Sequence, residues 1–330
     1  MQLSILDQSP ISAGETAKDA LKSSVELAKL GEALGFQRYW IAEHHDLFGL
    51  ACPNPDVMLG VIGSHTQSIK IGAGAVLLPY YKPFRVAETY NLLATLFPRR
   101  IDLGIGRAPG GPAEVSMALS DNYLEQVKHY SKDIDQLIDF LHNRFSDDHM
   151  FKKITPTPVP NTPPHVWLLG TSEKSAILAA EKGVSYSFGH FMTDTNGPKV
   201  VQTYREQFYS NIQTFPYVIV AIHVICAETT KAAHELALSY CLWNIQQEKN
   251  VSNVTIPSIT EAKQYTFTRE EKEKIQQMKE KMIVGNPEEV KEKMLNIQTA
   301  YAADELMIIT ITHDLEKKFH SYRLVAEQFK

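Results

Sequence analysis

The chain has 330 residues, of which 44 % are hydrophobic and 22 % charged, and its formal net charge is −5 at pH 7. These proportions are typical of a soluble globular protein, and the acidic balance excludes the basic surface that nucleic acid or an anionic membrane would need. No apolar run is long enough to cross a bilayer. The three cysteines are widely spaced, so reduced thiols and a cytoplasmic location are expected.

Strand-like and helix-like segments alternate along the chain. The first helix has a capping pattern at Thr16 and Asp19 and a natural stop at Gly35. The predicted strands are residues 2–6, 38–42, 69–78, 100–104, 166–169, 184–188, 217–226 and 305–312. The predicted helices that follow them are residues 16–34, 55–66, 83–96, 113–143, 173–182, 198–212, 230–242 and 315–328.

Eight strand–helix units in this order predict one α/β domain over residues 1–330, built as a (β/α)8 TIM barrel. A doubly wound parallel sheet is the alternative. Residues 244–283 interrupt the alternation between the predicted seventh and eighth strands, and they include a charged helical stretch at 269–281. This insertion is either a mobile lid or a surface excursion without a role in the site.

Polar or small residues follow six of the predicted strands. In a barrel these positions meet at one mouth, where catalytic groups collect. Small residues there let a flat ligand approach the backbone, and Arg107 and a histidine pair would line the same opening. The strand-end residues are Asp7 and Gln8, residues 43–45, residues 72–75, residues 104–107, residues 170–172, and Gly189 with His190.

The adjacent His44 and His45 begin where a buried strand would end, with Glu43 before them. Histidine has a pKa suited to proton transfer near neutral pH, and ionisable groups at the tip of a buried strand are costly unless they are paired or used. Ordinary hydrogen-bonded histidines are the alternative. A metal site is not predicted, because adjacent residues on a strand point in different directions.

The turn from Gly170 to Ser175 joins a strand to a helix. Backbone N–H groups and the helix dipole favour an anion at such a point, and Ser172 and Ser175 add hydroxyl groups. An ordinary serine cap is the alternative, but Arg107 at a neighbouring strand end strengthens the anion hypothesis. Residues 104–111 look like a dinucleotide fingerprint, although their spacing is wrong for one.

Taken together, these motifs resemble those of the bacterial luciferase-like, flavin-dependent monooxygenases over essentially the whole chain. The order and spacing of the motifs carry the resemblance, since each motif alone is weak. The opening residues 6–10 and the variant at 106–110 are most similar to an uncharacterised branch of single-subunit relatives. The matching segments are residues 43–45, 72–79, 99–107, 170–172 and 284–289.

The resemblance implies a barrel that binds FMN, as FMNH2, at its C-terminal mouth. Its implied cofactor contacts are Glu43, Gly74, Ala75, Arg107, Gly170, Thr171, Ser172, Ser175 and His190. Arg107, Thr171, Ser172 and Ser175 would surround the phosphate. The flavin ring would lie against a non-proline cis peptide at Gly74–Ala75, with the remaining residues around it.

The same resemblance implies that His44 is the acid/base near the reacting flavin. FMNH2 and O2 would form a C4a-peroxyflavin that attacks a small organic substrate, and the apolar residues 47–50 suggest that this substrate is partly hydrophobic. A separate NAD(P)H:flavin reductase could supply the reduced flavin. A homodimer is expected through the helices at 55–66 and 83–96.

Two other functions remain open on the same scaffold. One is a deazaflavin-dependent oxidoreductase, which transfers hydride and avoids O2. The other is a flavin-binding protein without catalytic activity, although the presence of both His44 and Arg107 argues against it.

Overall fold

The computed structural model describes residues 1–330, with nine β-strands and twelve α-helices. The strands are β1 (Gln2–Asp7), β2 (Arg38–Ile41), β3 (Lys70–Leu77), β4 (Ile101–Gly106), β5 (His165–Gly170), β6 (Ser185–Gly189), β7 (Val218–Cys226), β8 (Met282–Gly285) and β9 (Glu305–Ile309). The helices are α1 (Ala17–Leu34), α2 (Pro55–His65), α3 (Pro83–Leu96), α4 (Ala113–Leu119), α5 (Tyr123–His142), α6 (Glu173–Lys182), α7 (Gly197–Glu206), α8 (Thr230–Glu248), α9 (Ile259–Gln264), α10 (Arg269–Glu280), α11 (Pro287–Tyr301) and α12 (Leu315–Glu327).

Eight of the strands close into a ring. The hydrogen-bonded order runs from β1 through β7 in sequence, then to β9, which pairs back with β1. Ile5 of β1 shows the closure, because it is in register with Tyr39 of β2 on one side and with Ile308 of β9 on the other. All of these pairings are parallel. The TIM barrel is therefore confirmed, and the doubly wound sheet is excluded.

One strand, β8, lies outside this ring and was not predicted from the sequence. Its four residues pair with the C-terminal half of β7, where His223 is in register with Met282 on one side and Ile309 of β9 on the other. Pairing between β6 and β7 ends at Gly189 and Ala221, so β8 continues the sheet beyond β6. The strand is short and follows a charged helix, which is why periodicity alone assigned its first residues to the insertion.

The predicted insertion at 244–283 is anchored at its centre. Ile256 is fully buried, its N–H donates to the carbonyl of Ile11 at 2.8 Å, and it accepts from Ala13 N–H at 2.8 Å. These bonds attach the segment to the loop after β1. Its motion as a lid stays a prediction.

Three of the predicted helices differ from the structure by more than two residues. The helix predicted at 198–212 is shorter, because α7 ends at Glu206. The predicted helix at 113–143 is two helices, because Asn122 caps a new one by accepting from the N–H of Glu125 at 3.2 Å. Helix α8 continues past the predicted end at residue 242 to Glu248. Residues 243–248 are mostly polar, which is why the sequence pattern ended the helix too early. All three changes lie outside the ring of strands.

A buried polar network lies near the N-terminal end of the barrel. Arg38 donates from Nε and Nη2 to the two carboxylate oxygens of Glu305, at 2.8 and 3.0 Å, and from Nη1 to Asp102 at 2.8 Å. Burial opposes ionisation of Asp102, but the ion pair with Arg38 outweighs it and holds the pKa of Asp102 below its usual range. The indole of Trp40 also donates to Asp102, at 2.9 Å.

No helix of the chain combines the length and the apolar character needed to cross a membrane.

Candidate active site

A cavity of about 360 Å³ opens at the C-terminal mouth of the barrel. It reaches from the strand ends down to inward-pointing side chains of β1, β2, β7 and β9. Nearly all of the residues suggested by the sequence line it together, which is how parallel strand ends meet in a barrel. They are Glu43, His44, Gly74, Ala75, Arg107, Gly170, Thr171, Ser172 and Ser175.

His190 is placed differently from the other predicted site residues. It lies in a 3₁₀ turn after β6, and its Nδ1 hydrogen-bonds with the hydroxyl of Tyr301 at 2.8 Å. Its ring does not line the cavity, whereas Gly189, Phe191 and Met192 on either side of it do. The structure therefore places the side chain of His190 against α11 and outside the lining of the cavity.

The end of β1 contributes one of its two predicted polar residues. Gln8 lines the cavity, but Asp7 points outward. Asp7 accepts from Lys318 at 2.9 Å, from Ser24 at 2.6 Å and from Tyr39 at 2.7 Å. Successive side chains on a strand alternate in direction, so only one of these neighbours can face the mouth.

His44 lines the cavity with a ring nitrogen that has no partner. Its Nδ1 is buried without a hydrogen bond, while its backbone N–H donates to the carbonyl of Cys52 at 3.1 Å. Burial, together with the neighbouring His45, lowers the pKa of His44 to about 4. The imidazole is therefore neutral near pH 7, so it can accept a proton at one nitrogen and donate from the other.

The carboxyl group of Glu43 is fully engaged by the protein. It accepts from the hydroxyl of Tyr81 at 2.6 Å and from the N–H of Leu77 at 3.0 Å, and it pairs with Nε2 of His45 at 2.9 Å. These bonds join the end of β2 to the end of β3. Glu43 thus shapes the wall of the cavity, while His45 points away from the cavity toward Glu43.

The wall between β3 and β4 is irregular. Pairing of the two strands shifts register between Ala73 and Val76, and the Gly74–Ala75 peptide bond is cis, as the family resemblance implied. Both Gly74 and Ala75 line the cavity, so this stretch of the wall presents main chain and one methyl group.

The N-terminus of α6 forms the polar end of the cavity. Ser172 caps the helix by accepting from Ser175 N–H at 3.4 Å, and the Ser175 hydroxyl donates to the Ser172 carbonyl at 2.6 Å and contacts Tyr186 at 2.9 Å. The Ser175 hydroxyl is thus used within the cap. The first N–H groups of α6 have no intrahelical acceptor, which leaves them and the side chain of Thr171 available to an anion.

Two further residues complete this polar end, and sequence reasoning missed both. Lys174, in the first turn of α6, lines the cavity without an ion pair. Tyr130 of α5 is only 4 % exposed, and its hydroxyl is buried without a hydrogen-bond partner. Lys174 could have been found, because it stands between the two predicted serines. Tyr130 gave no signal, since its helix approaches the mouth only through tertiary packing.

Arg107 carries a free cation above this end of the cavity. Its guanidinium makes no ion pair or hydrogen bond within the chain, and the side chain is exposed. The backbone around it is held by two tyrosines. Tyr123 donates to the carbonyl of Arg107 at 2.6 Å, and Tyr80 donates to the carbonyl of Pro109 at 2.7 Å. The loop is therefore fixed while the guanidinium remains available.

The rest of the cavity is apolar. The segment at 47–50 does not contribute to it, because Phe48 is 60 % exposed and Leu50 packs against the buried cluster around Trp243. The apolar lining comes mainly from the strands and from the turn after β6. It includes Leu6, Trp40, Leu77, Leu168, Leu169, Phe191, Met192, Ala221 and Met307.

Comparison with known proteins agrees with this geometry. Residues 1–304 match the luciferase-like monooxygenase family. The chain belongs to that family. It is 40 % identical to the uncharacterized protein YceB of Bacillus subtilis over 330 residues, covering 100 % of this chain and 99 % of the relative. It is 33 % identical to the N-acetyl-S-alkylcysteine monooxygenase of the same organism, covering 99 % and 98 % of the two chains.

Solved structures of other proteins show the same barrel. That of apo-MsnO8 is 31 % identical, has a TM-score of 0.87, and covers 99 % of this chain and 98 % of its own. The oxygenating constituent of 3,6-diketocamphane monooxygenase from Pseudomonas putida, in complex with FMN, has a TM-score of 0.73 at 19 % identity, with 99 % and 97 % covered. An F420-dependent secondary alcohol dehydrogenase has a TM-score of 0.71 at 14 % identity, with 100 % and 99 % covered. These last two share the fold.

The residues present suit a flavin of the kind that luciferase-like monooxygenases use. Two buried polar atoms of lining residues, Nδ1 of His44 and the hydroxyl of Tyr130, lack partners within the chain. A buried polar group without a partner is costly, so a ligand that supplies one at each position is favoured. The cavity also joins a positively charged end, at a helix N-terminus, to an apolar interior, and a phosphorylated aromatic ring requires these two environments.

Proposed function

We propose that this protein is an FMN-dependent monooxygenase that uses reduced FMN and O2 to oxidise a small, partly hydrophobic organic substrate. One observation carries the proposal. A single cavity joins a neutral, unpartnered imidazole at His44 to a positively charged end lined by Arg107, Lys174 and the N-terminus of α6. Bound FMN would supply the electrons that activate O2, with one oxygen atom passing to the substrate and the other leaving as water.

The anion-binding end would hold the FMN phosphate. Arg107 and Lys174 would give charge-assisted hydrogen bonds, and Thr171, Ser172 and the first amides of α6 would give neutral ones. Tyr130 would find its missing partner at the phosphate or the chain next to it. The flavin ring would then lie over Gly74–Ala75 against the apolar wall, with Gly170 beside the chain that joins ring to phosphate.

His44 would manage protons at the reacting end of the flavin. As a neutral imidazole it can take a proton from one group and return it to another without being charged in the resting enzyme. The apolar walls keep water away from the same space, which protects a reactive oxygen species from hydrolysis or premature release. Glu43, held by three hydrogen bonds, would keep β2 and β3 in place beneath this reaction.

The substrate would enter the space between the flavin and the turn that carries Phe191 and Met192. Met192 is 65 % exposed although it lines the cavity, so this turn would form the outer, apolar edge of the substrate site. A relative named for N-acetyl-S-alkylcysteines shares 33 % of its residues with this chain, which makes such thioethers a first compound class for screening. Small aldehydes are a second class.

A deazaflavin-dependent oxidoreductase is the second candidate, since a structural neighbour with the same barrel binds such a cofactor. A flavin-binding protein without activity is the third. Anaerobic titration with FMNH2, followed by a pulse of O2, separates all three. Tight binding and a transient near-ultraviolet band before reoxidation would support the monooxygenase. Featureless reoxidation would contradict it, and a parallel titration with a reduced deazaflavin would then separate the other two.

Replacing Arg107 with glutamine is expected to weaken FMNH2 binding about 10- to 100-fold, because charge-assisted hydrogen bonds to the phosphate are lost. Riboflavin, which lacks the phosphate, should bind the variant and the wild type equally. Arg269→Gln is the matched control, since Arg269 is exposed on α10. Equal losses for FMNH2 and riboflavin in Arg107→Gln would show that Arg107 does not hold the phosphate.

We propose that the protein forms a homodimer through α2 and α3. Large apolar side chains are exposed at i, i+4 spacing on both helices, at Val57 and Val61 and at Leu92 and Leu96. Two adjacent exposed stripes of this kind mark an interaction surface. Sedimentation at micromolar concentration should show a dimer, and Val61→Glu with Leu92→Glu should shift it to a monomer. A monomeric wild-type chain would contradict the proposal.

A separate NAD(P)H:flavin reductase would supply the reduced flavin, because no nicotinamide fingerprint is present in the sequence. All three cysteines are buried free thiols, which supports a reducing compartment such as the cytoplasm.

A further inference from the structure

A second cavity, of about 350 Å³, lies at the opposite end of the barrel. Lys70, Ile101 and His165, the first residues of β3, β4 and β5, line it, so it opens at the N-terminal face. That face of a TIM barrel usually contributes stability rather than chemistry. The cavity is therefore separate from the candidate active site and is not explained by the proposed monooxygenase activity.

Two cations in this cavity have no partner. Neither the ammonium group of Lys70 nor the guanidinium of Arg99 makes an ion pair or hydrogen bond within the chain. Asp102 is the acidic residue in the lining, and both of its oxygens already accept hydrogen bonds from Arg38, Trp40 and Trp167. No acidic side chain in the lining is left free to pair with these two cations, of which Lys70 is half-buried and Arg99 exposed.

The backbone conformation at Arg99 is a second sign that this cation has a role. Its φ is +64°, in the left-handed region that favours glycine and disfavours a long side chain. An arginine here costs conformational energy relative to glycine, so the cation is kept against a local preference. Strained positions of this kind are often associated with function.

Neutral polar groups complete the lining. Nε2 of His142 is buried without a hydrogen-bond partner. His165 is already satisfied, because it pairs with the Ser185 hydroxyl at 2.8 Å and with the Gln213 amide at 3.4 Å. Thr162 also lines the space. A ligand would therefore meet two positive charges and several uncharged hydrogen-bonding groups.

We propose that this cavity binds a small phosphate monoester. The two unpaired cations, Lys70 and Arg99, match the double negative charge of the phosphate, and His142 and Thr162 can complete its hydrogen bonds. The cavity is larger than one phosphate group needs, so it leaves space for a small organic group against Pro163, Pro164 and Ile212.

Calorimetric titration with inorganic phosphate tests this site, at an ionic strength held constant with chloride. All titrations use the full chain carrying Arg107→Gln, which weakens the anion site at the opposite mouth. The result then does not depend on whether the protein binds FMN. One saturable phosphate site per chain is expected in this background.

Lys70→Gln and Arg99→Asn should each raise the phosphate dissociation constant about tenfold, because each removes one charged donor. Lys70→Arg keeps the charge and should retain the affinity. Asparagine tolerates the left-handed backbone, so Arg99→Asn should fold even if Lys70→Gln does not. Absence of saturable binding, or an affinity unchanged by the two neutral substitutions, would overturn the proposal.

Discussion

Replacing His44 with alanine is expected to lower turnover about 10²- to 10⁴-fold, the range for loss of a general acid/base, while FMNH2 binding changes little. The polar end of the cavity, proposed above to hold the phosphate, is lined by the N-terminus of α6, Arg107 and Lys174, and His44 makes no side-chain hydrogen bond to any of them. Turnover and flavin affinity should therefore separate in this variant. Stopped-flow kinetics with FMNH2, O2 and a substrate found by screening would measure the first, and anaerobic titration the second.

His129→Ala is the control for this experiment, because His129 is half exposed on α5. Turnover in that variant should match the wild type. Equal turnover in His44→Ala and His129→Ala would contradict an acid/base role for His44. A parallel loss of FMNH2 affinity in His44→Ala would instead indicate that the side chain shapes the flavin site.

The pH dependence follows from the environment of His44. Burial, followed by the charge of His45, lowers the pKa of His44 to about 4, so its neutral form dominates from pH 5 upward. A plot of turnover against pH should therefore show no change from protonation of His44 near pH 6.5, the ordinary pKa of histidine. Between the ordinary histidine pKa of 6.5 and the lowered pKa of about 4, the unfolded state binds a proton at His44 that the folded state does not. The contribution of His44 to the free energy of unfolding therefore decreases as the pH falls through that window.

Replacing Arg38 with methionine is expected to lower the free energy of unfolding by about 3–5 kcal/mol. The substitution leaves Asp102 and Glu305 buried without their shared cation, and an uncompensated buried charge is far more costly than a lost surface pair. Urea unfolding followed by circular dichroism would measure the change. The reversibility of unfolding must be verified for a chain of 330 residues.

Lys29→Met is the matched control, because Lys29 pairs with Glu26 on the exposed face of α1. Surface pairs contribute below about 1 kcal/mol. A triple variant that also carries Asp102→Asn and Glu305→Gln should recover part of the loss, since no charge is then left without a partner. Equal destabilisation by Arg38→Met and Lys29→Met would contradict the account of the buried network.

The sequence predicted the ring of strands well because each strand is mainly apolar and six of the eight are followed by polar or small residues. The residues at those ends, such as His44, Arg107 and Gly170, have a fixed place once the barrel closes, so their meeting at one mouth is a consequence of topology. The cap of α6 was equally readable, since Ser172 and Ser175 are three residues apart.

Other parts of the site depended on information that chain order does not contain. Tyr130 reaches the cavity from a helix whose position is set by packing against α3, and no local pattern marks it. His190 and Asp7 are adjacent to cavity residues, but a one-residue step reverses a side chain on a strand or turn, and their partners Tyr301 and Lys318 are more than a hundred residues away in sequence.

The short strand β8 was missed for a related reason. Four apolar residues are too few to identify a strand by period, and the polar segment before them, with its charged helical stretch, was assigned together with their first residues to an insertion. What makes them a strand is the free edge of β7 beyond β6, which exists only in the folded barrel.

The chain could be cut at an exposed point between β7 and β8 without breaking a strand. Residues Val251 to Asn253 are exposed, and they separate β1–β7 from β8 and β9. A cut there would leave one fragment with an open row of seven strands and another whose two strands pair with β7 and β1. The two pieces are thus complementary parts of one closed sheet. The hydrogen bonds of β9 to β1 and β7, rather than the peptide bond at this point, close the barrel.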